Sequence, residues 1–434
     1  MNTRIRRSVI TAFSFFLLSA CSGSAPPSPS PIPATDLPPM TITFWHTRTG
    51  AASALLDALA NDFHKAYPSI AVQGEVKKDE GDLLRQGIAG MALNQLPDFI
   101  IADNRTIGEF ARKGALVALD PLLDDASLGL RDNDRADFFP GVLDAGRFPD
   151  LKNQLFSFPF DEQAVVLYYN ADLLKAAKVE PPRTWDQFSA AARGTTKGRA
   201  RGWAMSPNAA VFYAFLFSRG SSMLNDTQTR AQFNDDAGTK SLQLIAALSK
   251  GGSAYLVDNA DLARADFAQG KAALLFGTTD DLAAVSDAVT RAAGFRWGVT
   301  NVPQNDATHP LTTIYGANLA IFNRSRERTR AAWLFVRWLA EPAQTARWAR
   351  ATLAIPLRLS ALPQLTSDAP NPLFQRLRDG FGDTLPAGRA MPAVKDAAQI
   401  DAATVEMWTA VANGMEPGAA ISRAATRVAR ILSP

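Results

Sequence analysis

The chain has 434 residues, 47% of them apolar, with 8 Trp and 25 Phe. That is too long for one ordinary core and too rich in large apolar side chains for general disorder, so two domains or an interleaved pair are expected. Its 45 Lys+Arg against 42 Asp+Glu include Arg4, Arg6 and Arg7 at the extreme front. Without those three the charges balance, which excludes net charge as a reason to expect a nucleic-acid partner.

Arg4, Arg6 and Arg7 precede an apolar run over residues 9–18, shorter than the ~20 residues a membrane span needs. Residues 1–20 therefore read as a secretion signal. Leu18, Ser19, Ala20 and Cys21 resemble the lipobox of bacterial lipoproteins, which implies cleavage before Cys21 and lipid attachment to it. Cys21 is the only cysteine, so a disulfide framework is excluded. Residues 21–39 are a Pro/Ser-rich tether with nothing to bury, an extended spacer between membrane and folded protein.

Folded sequence begins at Met40 with an alternating strand that ends at His46. A turn over 47–50 leads into a helix with Leu55, Leu56, Leu59, Phe63 and Tyr67 on one face, stopped by Pro68, and residues 70–76 alternate again. Strand, helix, strand in this order builds parallel sheets. A helix over 83–91 and a strand over 98–102 repeat the unit, leaving Asp103, Asn104 and Arg105 at the strand's carboxyl end. Thr106 with Glu109 reads as a capping box for the next helix. Ligands collect outside the carboxyl ends of strands in open α/β sheets, so His46, Asp103 and Asn104 are expected to face one cleft.

Residues 155–170 are two apolar strand halves interrupted by Asp161, Glu162 and Gln163. The pattern predicts a strand that leaves one core, crosses an open cleft and enters a second core, with ligand-binding side chains at the crossing. Thr184 with Gln187 forms another capping box, Trp203 falls in an irregular segment, and 210–217 is a buried helix. A strand over 272–276 leads to a turn at Gly277, Thr278 and Thr279. Residues 295–302 are expected to be a second crossing strand, followed by a strand over 314–321 that carries Tyr315 and Gly316 near its start. From Ser325 onward the pattern is nearly all helix, and no internal repeat is present.

Catalytic signatures are absent. His46, His64 and His309 are too scattered for a metal cluster, and no nucleophile elbow, phosphate loop or dinucleotide fingerprint occurs. No cofactor or metal is expected. A carboxylate pair such as Asp161 with Asp103 leaves a surface glycoside-acting enzyme as a distant alternative.

Seven segments in order carry a family likeness: ITFWH with Phe63, Tyr67, Pro68, Ile70 and Val72; LPDFIIAD with GALVALDPLL; PFDEQAVVLYYNADLL; PPRTWDQF; FAQGKAALLFG; GVTNVPQ; and AAWLFVRWLAEPAQTARW with AIPLR. From Met40 to Leu432 the chain resembles the family 1 extracellular solute-binding proteins of bacterial ABC importers, the class of the maltose- and glycerol-phosphate-binding proteins. The resemblance implies an α/β fold, the two-lobed type II clamp with hinge-crossing strands and a helical C-terminal tail. It assigns residues 40–160 and 299–323 to one lobe, and 161–298 and 324–434 to the other. Lobe closure over ligand presents a shape that a membrane permease recognises. A small-molecule ligand and permease subunits are thus the implied partners of a monomer held at the outer face of a bacterial membrane, in the periplasm or at the cell surface.

Sugar binding asks for carboxylates, amides and an aromatic face, whereas a phosphate asks for Arg, Lys and helix N-termini. The ligand-binding candidates are His46, Glu80, Asp103, Asn104, Asp161, Gln163, Trp203, Thr278, Tyr315, Gly316, Arg358 and Lys395; of these the resemblance to the glycerol-phosphate binders implies Asn104 with Asp103 beside it, Gln163, Thr278, Gly316 and Lys395, or Arg389 in a shifted alignment, and the others are read from their own surroundings in the sequence. Asp161 leads, because a charge between Phe160 and Val165 needs a cleft to be solvated. Trp203 serves either as a stacking platform or as core filler, and Trp333 and Trp338 at helical spacing are core. Asp103, Asp161 and Glu162 favour a sugar or oligosaccharide; glycerol 3-phosphate or a glycerophosphodiester is the alternative.

Overall fold

The computed structural model describes residues 37–434 apart from 293, 368–371, 382–385 and 434. The signal segment, Cys21 and most of the tether lie outside the described residues. Strand β1 (Met40–His46) pairs in parallel with β2 (Ile70–Val76) and β3 (Phe99–Asp103). Helices Gly50–Ala66 and Glu80–Leu93 make the crossovers, as the alternation and the apolar stripe require. Leu56, Leu59 and Phe63 bury the first helix against the sheet.

A short hairpin, β4 (Arg147–Phe148) with β5 (Gln154–Leu155), precedes β6 (Phe158–Asn170). The later strands are β7 (Arg201–Met205), β8 (Ala254–Leu256), β9 (Ala272–Thr278), β10 (Trp297–Thr300), β11 (Leu311–Ile321) and β12 (Ala387–Ala390). The main sheet runs β2-β1-β3-β11-β6-β9-β7-β8, with β10 on β6 and β12 on β11. Its first half belongs to one lobe and its second half to the other.

Strand β6 joins those halves. Its early residues face β11, with Asp161 opposite Ala317, Glu162 opposite Gly316 and Gln163 opposite Tyr315. From Val165 onward it pairs with β9, and from Leu167 with β10. The second long strand of the hinge is β11, not residues 295–302 as the sequence suggested. Strand β10 pairs only with the far end of β6, and the chain then turns back along β11. A short apolar run shows that a strand exists but not how far its pairing extends. Gly316 marks where the two hinge strands press closest, since a Cβ there would lie 1.9 Å from the Asp161 carbonyl oxygen.

Each lobe has its own core. In the first, Phe44, Phe63 and Phe99 gather around Phe335, with ring centroids 5.0 Å apart for Phe63 and Phe335. Helix Arg326–Leu339 thereby packs on the first lobe, tied down by Arg328 on the buried Asp98 at 2.5 Å. This corrects the assignment of all of 324–434 to the second lobe, because the apolar face of that helix complements the first sheet. The second core holds Trp203, Phe188, Phe215 and Trp408, and helices Ala397–Ala412 and Pro417–Leu432 cover it. Helix Ala209–Phe217 is buried at every position, which explains its lack of a polar face. Among the described residues no helix is long and apolar enough to cross a membrane.

Candidate functional site between the lobes

A cavity of about 540 Å³ opens where elements of both lobes meet. Its walls are the carboxyl end of β3, the segment 207–210 after β7, Ile314 to Gly316 on β11, residues 390–393, and one face of helix Ala397–Ala412. The volume lies within the range of small-molecule sites. A second groove, of about 590 Å³, shares residues 390–393 as a wall.

Asp103, Asn104, Tyr315 and Gly316 line the cavity together. Asp103 caps helix Asn104–Arg112 by accepting the Thr106 N–H at 2.7 Å. The helix therefore starts three residues earlier than a Thr106 cap would set it: the carboxylate at the strand end captures the free N–H first. Asn104 is held on three sides. Its amide donates to the Ala145 carbonyl at 2.9 Å, and its oxygen accepts from Ser157 at 2.7 Å and Asn318 at 3.0 Å. That leaves Asn104 chiefly a brace of the first lobe.

Glu80 lies behind Asp103, accepting its backbone N–H at 3.4 Å. Burial, with the Asp103 charge beside it, pushes the Glu80 carboxyl up to about 7. His46 is buried, stacks on Phe44 at 5.3 Å and accepts the Arg48 N–H on Nδ1 at 3.2 Å. Burial lowers its pKa, so the ring is a neutral terminus to β1.

Asp161 and Gln163 share the Tyr315 face of the hinge strands, and both are buried. Asp161 does not need open solvent, because Arg48 from the turn after β1 pairs with it at 2.7 Å. Gln163 accepts from Thr279 Oγ1 at 2.5 Å, and Thr279 also receives the Ala164 N–H at 3.2 Å. Next to them, Asp280 is pushed up to about 6 by shielding from water and by the Asp161 charge. Thr278 turns both its N–H and its hydroxyl onto Asp281. Burial raises the Tyr315 phenol to about 12, with the Thr278 side chain offsetting part of it.

Of the expected residues, His46, Glu80, Asp161, Gln163 and Thr278 thus do not line the cavity themselves, His46 being buried rather than facing it, and three more lie away from it. Trp203 is 1% exposed inside the second core and stacks nothing in the cleft. Arg358 is buried over the Phe138 ring at 3.9 Å and donates to the Ala340 carbonyl at 2.7 Å, a packing role in the first lobe. Lys395 is exposed and does not line the cavity, although its neighbours Met391 to Ala393 do. Glu162 also fails as a cleft group: strand alternation turns it to the opposite face from Asp161, beside Phe160 on Trp348. Asp161 and Asp103, the carboxylates considered for hydrolysis, are each engaged by a structural partner.

Sequence reasoning missed Arg48, Arg105, Tyr213 and Asp401. Arg105 and Asp401 form an ion pair across the cleft, and Tyr213 donates to Asp401 at 2.5 Å. Arg105 was visible only as part of a polar run at a strand end, and Asp401 as one acid on a tail helix. Nothing local links positions 296 residues apart.

Comparison with known proteins agrees with this architecture. Residues 58–373 match the family model described as bacterial extracellular solute-binding protein. The chain is 24% identical over 335 residues to the sn-glycerol-3-phosphate-binding periplasmic protein UgpB of Rhizobium meliloti, covering 74% of this chain and 76% of that protein. Among solved structures it is similar to the cyclic alpha-maltosyl-1,6-maltose binding protein from Arthrobacter globiformis, with a TM-score of 0.76 at 20% identity over 91% of this chain and 99% of that one. It is equally similar in fold to the sugar-binding protein MalE from the phytopathogen Xanthomonas citri, with a TM-score of 0.76 at 23% identity over 91% and 97% of the two chains.

Proposed function

The chain belongs to the bacterial extracellular solute-binding proteins, the ligand-capturing components of ABC importers, and on that basis we propose that it captures an uncharged sugar or oligosaccharide in the interlobe cleft. The observation that carries this reading is the charge state of the walls. Arg105 is the only cation among the described residues lining the cavity, and a carboxylate already occupies it. Arg48, beside the hinge, is likewise paired. What remains is carboxylate, amide and phenol, which accept from and donate to hydroxyl groups. Tyr315 supplies the aromatic surface, in place of Trp203.

Glycerol 3-phosphate remains the rival because curated relatives carry that name. The basic residues expected to serve it do not line the cavity: Arg358 is buried in the first lobe, Lys395 is exposed, and Arg389, the alternative to Lys395, lines the neighbouring groove instead. Thermal-shift and calorimetric titration with a saccharide and polyol panel tests the proposal. A sugar ligand raises the melting temperature by mass action, and silence toward every saccharide would refute it.

The delivery partner is a membrane permease, reached by a monomer whose Cys21 carries lipid at the outer face of the membrane. Two features support that placement, the apolar signal pattern and the Pro/Ser tether. Cys21→Ser is expected to shift the protein from the membrane to the soluble fraction, and its retention in the membrane would count against the anchor.

A further inference from the structure

Arg105 stands in the first turn of helix Asn104–Arg112. A cation there opposes the helix dipole, whose N-terminal end favours negative charge. Guanidinium plus helix N-terminus is the chemistry that holds phosphates and carboxylates. In this protein both halves of that anion site are filled by the chain itself. Asp103 takes the Thr106 N–H at 2.7 Å, and Asp401 reaches over from the other lobe to pair with Arg105. Asp401 is locked in that position by the Tyr213 hydroxyl at 2.5 Å, on a helix with no exposed residue.

We propose that Asp401 is a specificity determinant: by acting as a resident anion on Arg105, it makes the cleft reject anionic solutes and admit uncharged ones. The inference deepens the sugar reading and rests on this cavity being the ligand site. A phosphate entering the cavity meets, among the described lining residues, one cation already paired and two carboxylates, Asp103 and Asp401. It must either displace Asp401 or bond to the remaining N–H groups of a guanidinium whose charge Asp401 already offsets, beside like charge. A hydroxyl, in contrast, donates to those same carboxylates without displacing anything. Because Arg105 and Asp401 come from different lobes, the pair also ties the two lobes together.

The test is calorimetric titration of sn-glycerol 3-phosphate, inorganic phosphate and the saccharide panel into wild type, Arg105→Gln, Asp401→Asn, Asp401→Ala and Asp401→Asn with Arg105→Gln. Wild type is expected to show no glycerol-phosphate binding at millimolar concentration. Freeing the guanidinium in Asp401→Asn is expected to tighten glycerol-phosphate binding roughly ten- to a hundredfold, the scale of a hydrogen bond to a charged group. The gain is expected to weaken with added salt and to vanish in the double variant. Asp401→Ala gives the same reading if the asparagine variant folds poorly. Arg105-dependent glycerol-phosphate binding by wild type overturns the proposal whatever the variants do, and so does a folded Asp401 variant that gains no anion binding. If every saccharide is silent while Asp401→Asn acquires anion binding, the ligand class is wrong but the role of Asp401 stands. If saccharides bind and the variant gains nothing, the reverse holds.

Discussion

Replacing Glu162 with Gln is expected to change how stability depends on pH. Glu162 is 1% exposed at the hinge, and neither carboxylate oxygen makes a hydrogen bond of normal geometry. Burial therefore pushes its pKa from 4.5 to about 7, offset in part by the Asn318 side chain and reinforced by the Asp161 charge. A carboxyl with a raised folded pKa holds its proton to higher pH than the unfolded chain does. Its ionisation costs nothing below about 4.5, and stability falls as pH rises from there to about 7. At 1.36 kcal/mol per pKa unit, the loss between those limits is roughly 3 kcal/mol. Gln carries the same shape without the proton, so the loss belongs to wild type alone. Urea unfolding of both proteins at intervals from pH 4.5 to pH 8 measures it. The two stabilities are expected to diverge with rising pH, Glu162→Gln becoming the more stable by up to about 3 kcal/mol. Parallel pH profiles would refute the argument, whatever the constant offset between the proteins.

Trp203→Ala is expected to cost about 3–5 kcal/mol in urea unfolding, the range for emptying a large aromatic from a core. Trp203→Phe should leave ligand affinity unchanged, and a selective loss of affinity would restore the stacking role. Gly316→Ala forces a methyl against the Asp161 carbonyl, so a loss of about 1–3 kcal/mol is expected; an unchanged melting temperature would show that the hinge strands can separate freely. Arg48→Ala leaves the buried Asp161 carboxylate uncompensated. Because Arg48 is about one-third exposed, the cost should fall below the ~3–5 kcal/mol of fully buried pairs, and Asp161→Asn in the same background should recover much of it. Tyr315→Phe is expected to weaken the sugar ligand several-fold in calorimetry while leaving ligand-free stability within about 1 kcal/mol.

Much of the fold could be read directly. The alternation over 40–46 and 70–76, the stop at Pro68 and the Thr184 capping box each depend on neighbours a few residues away. The crossing of β6 was equally readable, because three polar residues inside a Phe- and Val-rich strand demand an explanation that one core does not supply. The explanation itself differed. Asp161 is buried and met by Arg48, Gln163 by Thr279, and Glu162 by almost nothing. Composition shows that a charge is misplaced, but it cannot show which distant group compensates it.

The candidate site divides along the same line. Asp103, Asn104, Tyr315 and Gly316 line the candidate cavity because strand ends and hinge strands face the cleft as a matter of topology. Trp203, Arg358 and Lys395 were misplaced because their burial depends on what packs over them. Trp203 is covered by Phe188 and Phe215 from the helices before and after its strand, and by Trp408 from a helix of the distant C-terminal tail.

By itself, the sequence determined the order of βα units and the strand that must pass between two cores. Only the tertiary structure decided that β11 is the second hinge strand, that helix Arg326–Leu339 returns to the first lobe, and that Arg105 is neutralised by Asp401. Periodicity and capping are set by contacts within a few residues, so a linear reading captures them. Ion pairing and burial are set by residues that meet only after the chain has folded, and in this protein those meetings decide which charges are left for a ligand.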